Sequence, residues 1–493
     1  MMNDHGKSDR PVVSAKSPNK AGQQTAAEGM ERRGLAKGNL REQNTRRIQC
    51  RERVQSALER VRQVAVKESK AKFTNLMHHI YNPDTLEEAY FSLKKDASAG
   101  VDGETWRSYE ENWEENLKDL SERLKRGGYR AKPVKRVFIP KSDGKQRPLG
   151  VTALEDKIVQ RAAVEVMNAI YETDFLGFSY GYRPGRGQHD CLDSLYVGLL
   201  TKHVNFVIDA DISGFFDGIN HEWLMKFVEH RISDPKVLRL IRKWLNAGVM
   251  EKGVWKASEE GTPQGGSASP LLANIFLHYV FDLWAHDWRK KQSSGDVIIV
   301  RWADDFVVGF QSKSEADRFM KELHERFAKF DLKLHPEKTK LIEFGPFAIE
   351  NRKRRNQGRP ETFNFLGFTH ICGKKRGNKM FTVIRKTIKK KMGAKLKEIK
   401  AELKRRMHEP IPEVGKWLRS VVGGHFRYYG VPTNERSLRS FRFQVGRYWH
   451  HALKRRGQKN PLTWERMKRL IDKWLPLAKA YHPYPLQRRG VTT

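Results

Sequence analysis

DVIIVRWADDFVVGF (296–310) reads as a β-hairpin with an acidic bend. Val297–Val300 and Phe306–Phe310 are short apolar runs rich in β-branched and aromatic residues, and Asp304 and Asp305 fall between them. Two adjacent carboxylates flanked by apolar strands are costly unless something positive meets them. An isolated pair would be explained well enough as an exposed turn. A divalent-cation site needs a further carboxylate from elsewhere in the chain.

That carboxylate has a candidate upstream. Val204–Ile208 has the pattern of a buried strand and leads into DADISGFFD (209–217). The two-residue period of an extended strand puts Asp209 and Asp211 on one face. A strand-end Asp beside an Asp-Asp bend makes an oxygen-rich site suited to Mg²⁺, which takes a few carboxylates together with substrate phosphates. Two such ions about 3.5–4 Å apart can activate a 3′-hydroxyl and stabilise a departing pyrophosphate. Chemistry of that kind needs positioning and charge neutralisation rather than a side-chain nucleophile.

Outward from this pair of stretches, strands alternate with helices and then with a hairpin, the pattern of an α+β sheet domain. The Gly-, Ser- and Gln-rich residues 1–45 suggest a disordered extension. Helical patterns follow over Ile48–Lys70, Pro83–Asp96 and Trp106–Lys125. Val134–Pro140 and Gln146–Val151 read as strands joined at Ser142-Asp143-Gly144, with Lys141, Lys145 and Arg147 around the turn. This is either a solvated tip or a basic finger over phosphates. Further helices are expected at Glu155–Glu172, Glu222–His230, Pro235–Gly248, Ser269–Trp288 and Ser314–Phe330, and an apolar run at Phe363–Thr369. Beyond Gly377, Ile384, Ile388, Met392, Leu396, Ile399, Leu403 and Met407 recur at steps of four and three, which predicts one apolar stripe on a cationic helix.

The formal net charge of the 493 residues is +36, and the segment from Lys374 onward carries 33 Lys+Arg against 7 Asp+Glu. Such an excess points to a polyanionic partner, nucleic acid before membrane. Residues 417–429 interleave Arg419, His425 and Arg427 with Phe426, Tyr428 and Tyr429, a combination suited to unpaired bases and phosphates. Cys50, Cys191 and Cys372 are too scattered for a disulfide framework or a Cys-rich zinc module, and fit a reducing cytoplasm. The sequence has no apolar stretch of the ~18–20 residues needed to span a bilayer and no signal-peptide core at its start.

Several motifs stand in a familiar order: IPKSDGKQRPLGV (139–151), DADISGFFD (209–217), GTPQGGSASPLLANIFLH (261–278), WADD (302–305), LHPEKTK (334–340), NFLGF (364–368) and LRSVVGGHFRYYGVP (418–432). Together they resemble a bacterial group II intron-encoded reverse transcriptase/maturase, from about Phe73 to the end. The resemblance implies an α+β right-hand polymerase, fingers and palm with an antiparallel sheet, followed by an α-helical basic thumb/maturase domain. It divides the chain into a helical amino-terminal extension (46–131), fingers and palm (132–375), thumb/maturase (376–450) and a basic DNA-binding-like tail (451–493).

It also implies roles. Asp211, Asp304 and Asp305 match the polymerase carboxylates, and with Ile212 form the Mg²⁺ set; Asp209 is supportive. Lys141 and Arg147 match the fingers residues that hold the incoming dNTP. Phe216 matches the aromatic gate against a ribose 2′-hydroxyl, Gln264 and Gly265 match the loop lining the nucleotide pocket, and Lys338 approaches the site. Arg385, Lys386, Lys389, Lys390, Arg419, Arg427, Tyr428 and Tyr429 are expected to bind RNA. The implied partners are host intron RNA, RNA template, DNA primer or target, and dNTPs.

There are departures from the family pattern: Trp302 stands where the hairpin motif normally has Tyr, and the loop 265–269 is smaller and more polar than usual. No Cys-pair/His-Asn-His nuclease segment follows residue 451, so no second-strand cleavage by the protein is expected. Two other readings use the same features: an RNA chaperone with a decayed polymerase, suggested by Trp302, and a reverse transcriptase of the retron or phage-defence type. Primer extension on an RNA template tests the first, and an adjacent intron RNA would argue against the second.

Overall fold

The computed structural model describes residues 37–140, 146–251, 253–257, 261–262, 265–375, 377–456 and 462–485. Eleven strands are assigned among them: β1 (Val134–Pro140), β2 (Gln146–Val151), β3 (Phe206–Asp211), β4 (Val249–Glu251), β5 (Val254–Lys256), β6 (Val297–Trp302), β7 (Asp305–Phe310), β8 (Lys340–Glu343), β9 (Phe363–Phe365), β10 (Phe368–Lys374) and β11 (Phe381–Thr387).

The central sheet has the order β6-β7-β3-β8 and is antiparallel throughout. Period-2 alternation sorts its two faces. Ile208, Ala210, Phe306, Val308 and Phe310 point into a large core shared with helices Leu154–Asp174, Ser269–Leu277 and Lys313–Ala328. Val207, Val300, Val307 and Ile342 face a second core closed by helix Gln188–Thr201 and the sheet β11-β10-β9. A third core lies within four helices, Lys389–Arg405, Ile411–Tyr429, Glu435–Lys454 and Trp464–Trp474. Strands β1 and β2 form the expected hairpin, extended through β4 to β5 in the order β2-β1-β4-β5.

Several expectations change. The first helix spans Lys37–Lys67, so it begins within the stretch expected to be disordered; residues 1–36 lie outside the described ones. Helix Gln188–Thr201 was not foreseen, because Cys191, Leu192, Leu195, Tyr196, Val197 and Leu199 are all buried and leave no clean amphipathic stripe. The β4–β5 hairpin was likewise unforeseen. The expected helix through Ile384 and Ile388 is overturned: Phe381–Thr387 is a strand paired residue by residue with β10, and the helix starts only at Lys389. FTVIRKT alternates with period 2, and its local β-branched content outweighs the longer-range helical spacing. The Phe363–Thr369 run is a hairpin, turning at Leu366 and Gly367, both at positive φ. The three cysteines are buried and unpaired, and no described helix is long and apolar enough to cross a membrane.

Candidate active site

The register of the central sheet places the acidic residues. Asp211 at the end of β3 pairs with Asp305 at the start of β7, and Asp305 also pairs with Trp302 of β6. Directly opposed residues of antiparallel strands lie about 4.5–5.5 Å apart at Cα and share a face. Trp302, Asp305 and Asp211 therefore form a row across three strands. Asp304 sits in the two-residue turn, and Asp209, two positions before Asp211, is opposite Val307 and Lys340.

Electrostatics of the cluster follow from burial and repulsion. Burial first, then the charges of Asp209, Asp211 and Asp304, hold the Asp305 carboxyl well above the usual carboxylate range. Asp304 is raised by burial and by Asp211, against the opposing pull of Arg147 and Lys338. Asp209 is pushed up to about 7, mainly by burial, although the Asn364 backbone N–H donates to it. These carboxyls resist ionisation because they are buried and crowd one another, and a dication at their focus would offset that cost. Part of the compensation comes from Lys338, whose Nζ donates to Asp211 Oδ2. The segment carrying Lys338 is held along β3 by the His335 N–H on the Asp211 carbonyl (2.8 Å) and the Ser213 N–H on the Lys333 carbonyl (2.8 Å). Ile212 is buried between them and bridges Leu334. Among the described residues no three His, Cys, Asp or Glu side chains already form a metal cage. The donor set present is the sparse carboxylate type that Mg²⁺ uses together with waters and phosphate oxygens.

The turn itself rests on a buried network that the sequence reading missed. Ala303 has φ +56°, a conformation L-residues rarely adopt. Its carbonyl accepts a bond from Arg301 Nη1 (3.0 Å). The Arg301 guanidinium, fully buried, also meets Asp282 through Nε (2.7 Å) and Nη2 (2.5 Å), Asn274 Oδ1 (3.1 Å) and Ser179 Oγ (2.7 Å). Asp282 ends a π-helical turn, His278–Asp282, that interrupts the long helix after Ser269 and allows the carboxylate to face the arginine. Asn274 Nδ2 donates to the Gly181 carbonyl (2.7 Å). A Cβ at Gly181 would lie 2.4 Å from the Ala303 nitrogen, so the 177–187 loop packs directly against the turn. Tyr182 follows, at φ +58°; burial raises its hydroxyl pKa, as does the Asp304 charge, with Arg147 opposing. Nothing in the Gly- and aromatic-rich loop singled Tyr182 out beforehand.

On the nucleotide side, Arg147 lies on β2 opposite Ile139 and acts electrostatically on Asp304. Phe216 is half-buried in the 3₁₀ turn Phe215–Asp217, edge-on to Phe215 (5.4 Å), and its carbonyl accepts from the Thr262 N–H (2.7 Å). Gly265 has φ +119°, and a Cβ there would come within 2.3 Å of the Gly150 carbonyl, so the loop reaches β2 only with glycine at this position. Lys141 and Gln264 lie outside the described residues.

The expected RNA contacts divide. Lys386, Lys389, Lys390 and Arg427 are exposed. Arg419 is exposed too, but donates to the Lys473 carbonyl (2.6 Å) and stacks on Trp474. Arg385 is a correction: the strand alternation turns it inward, fully buried, onto Asp193 (3.2 Å) and the Tyr196 ring. Tyr428 and Tyr429 are half-buried, with part of each ring already engaged inside the protein. Tyr428 donates to the Leu366 carbonyl (2.8 Å) and stacks on Phe368, while Tyr429 packs beside Gly367.

Residues 139–370 match the family model for reverse transcriptase (RNA-dependent DNA polymerase), the class of enzyme that the antiparallel acidic sheet suggests. Protein YkfC of Escherichia coli K12 is 34% identical over 331 residues, an alignment covering 60% of this chain and 87% of that protein. The group II intron-encoded protein LtrA of Lactococcus lactis is 35% identical over 222 residues, 45% of this chain and 37% of that protein. A 91 kDa protein in the cob intron of Schizosaccharomyces pombe is 40% identical over 155 residues, 31% of this chain and 19% of that protein. The chain belongs to the group II intron reverse transcriptase/maturase family, whose shared domain is an RNA-directed DNA polymerase.

Proposed function

We propose that the protein copies RNA into DNA at the Asp211–Asp304–Asp305 cluster, and that its basic carboxyl-terminal helices bind host intron RNA to assist splicing and mobility. The pairing of Asp211 with Asp305, beside Asp304 in the turn, carries the reading. It brings together carboxylates some ninety positions apart in sequence at one end of the two central strands of the sheet.

Asp211, Asp304 and Asp305 would hold two Mg²⁺ ions, with the Ile212 carbonyl as a further oxygen. Bound there, the ions supply charge neutralisation for the attacking 3′-hydroxyl and the departing pyrophosphate. The chain's own groups do the rest. Arg147, with Lys141, meets the triphosphate from the fingers. Phe216 presents an aromatic wall to the sugar and crowds a 2′-hydroxyl. The Gly265 loop backs the nucleotide against β2. Lys338 neutralises Asp211 until metal and substrate arrive. Trp302 keeps its place in the row with Asp305 and Asp211, so indole at this position is compatible with the carboxylate register.

Replacement Asp304→Asn keeps the turn's size and removes one charge. It is expected to abolish Mg²⁺-dependent primer extension on an RNA template while leaving intron-RNA affinity intact. Robust extension by the variant would end the metal assignment, and loss of RNA binding alone would separate the maturase part from the polymerase part.

A further inference from the structure

Helix Glu435–Lys454 has two unlike faces. Leu438, Phe441, Val445, Trp449 and Leu453 are buried in the third core. Phe443, Arg447 and Lys454, at steps of four and seven, lie on the other side and border a cleft of about 570 Å³, completed by Lys400 from helix Lys389–Arg405 and by Trp464. The aromatics are conspicuously uncovered: Phe443 is 54% and Trp464 42% exposed. Their rings meet edge to face at 6.2 Å, and His450, fixed by its Nε2 bond to the Leu462 carbonyl (2.7 Å), props Trp464 from behind at 5.2 Å. Arg447 lies over the Phe443 ring (6.0 Å) and Lys400 over Tyr448 (5.6 Å).

Among the described residues no carboxylate lines this cleft, and Lys400, Arg447 and Lys454 form no ion pair. Several other cations on the same helices do have acidic partners: Lys395 with Glu398, Arg405 and Arg406 with Glu402, Arg442 with Asp472. Uncovered rings surrounded by uncompensated cations fit a ligand that is flat and apolar in one part and anionic in the next.

From this we infer that the Phe443–Trp464 cleft binds an unpaired nucleotide of a single nucleic-acid strand, its base against the two rings and its flanking phosphates on Arg447, Lys454 and Lys400. A duplex keeps its bases stacked inside and offers only phosphates, so it would gain nothing from the rings. The inference rests on the nucleic-acid-binding reading above and adds to it a site, a strandedness and a set of contacts.

The test uses the full chain with three fluorescently labelled 12-mers: single-stranded RNA, single-stranded DNA of the same sequence, and the blunt RNA duplex. The double variant F443A/W464A should weaken single-strand binding by roughly tenfold or more, the scale of losing one stacked base. Its salt slope and its duplex affinity should not change. The variant R447Q/K454Q should flatten the single-strand slope of log K against log salt by about 1.4, or ~0.7 per lost phosphate contact. The variant F443Y/W464F, which keeps both rings, should restore affinity and guards against a folding defect. Equal losses for strand and duplex, or no loss for either, would overturn the cleft as a base-binding site. The RNA and DNA arms show which strand it takes. Should F443A/W464A bind strands normally while the protein still extends primers and binds intron RNA, this inference fails and the proposed function stands. A protein that binds none of the nucleic acids removes both.

Discussion

Asp209 shows how far a single residue's environment departs from what its type suggests. It lies two positions before Asp211 on the same sheet face, so its charge adds to a crowded group of carboxyls. Its pKa rises from 3.8 to about 7, with burial the leading cause and Asp211 the next. A carboxyl raised on folding costs nothing below about pH 4, where it is protonated in folded and unfolded chains alike. The cost grows as pH climbs through that window and is fully present above 7. Replacing Asp209 by Asn keeps an acceptor for the Asn364 N–H and removes the charge. The variant should be more stable than the parent at pH 8, by an amount on the order of 2 kcal/mol once partial exposure is allowed for, and should unfold at a higher temperature. The gain should disappear near pH 4. Thermal melts at the two pH values, without divalent metal, check it; a gain of the same size at both would mean the charge is not its source. The alternation of VIDADI made the shared face of Asp209 and Asp211 legible in the sequence. The pKa was not legible, because it depends on burial and on Asn364 and Lys340 arriving from two other strands.

Among the elements, the β6–β7 hairpin was readable from its own fifteen residues, since strand period and bend residues are local signals. What holds the bend is not local. Arg301 takes its partners from Asp282, Asn274 and Ser179, the last 122 positions away, and in sequence it looks like one more residue of a strand. The same blindness made Arg385 an RNA contact when it is a buried partner of Asp193: a helical spacing borrowed from its neighbours hid a strand. Removing the Arg301 charge with Arg301→Gln leaves Asp282 buried and uncompensated. The loss expected is about 3–5 kcal/mol, read as a lower midpoint in thermal or urea unfolding. Adding Asp282→Asn to that variant removes the stranded charge and should recover a good part of the loss. A single variant as stable as the parent would mean that the guanidinium does not hold the turn. Primer extension gives a second measure, since Ala303 at φ +56° loses its anchoring bond and Asp304 its fixed direction.

At the scale of the whole molecule, charge and fold are laid out separately. The three apolar cores account for the architecture, and the excess of Lys and Arg lies outside them, densest from Lys374 onward. This separation is why composition announced a polyanionic partner before any element was placed: solvent-facing charge needs no packing partner and so remains visible as a simple count. Lys386 in β11 and Lys389 and Lys390 at the start of helix Lys389–Arg405 stay exposed, where the like charges repel each other until phosphates intervene. Each phosphate contact made there releases condensed counterions, so affinity must depend on how much salt is already in solution. For a surface making six to ten such contacts, affinity for structured intron RNA should fall roughly 10³-fold or more between 50 and 200 mM monovalent salt. Filter binding or fluorescence anisotropy across that range measures the slope directly. Lys389→Gln together with Lys390→Gln should flatten it by one to two contacts' worth without altering primer extension on a short template. A slope near zero in the parent protein would mean that the positive charge serves some purpose other than holding RNA, and with it would go the maturase half of the proposed function.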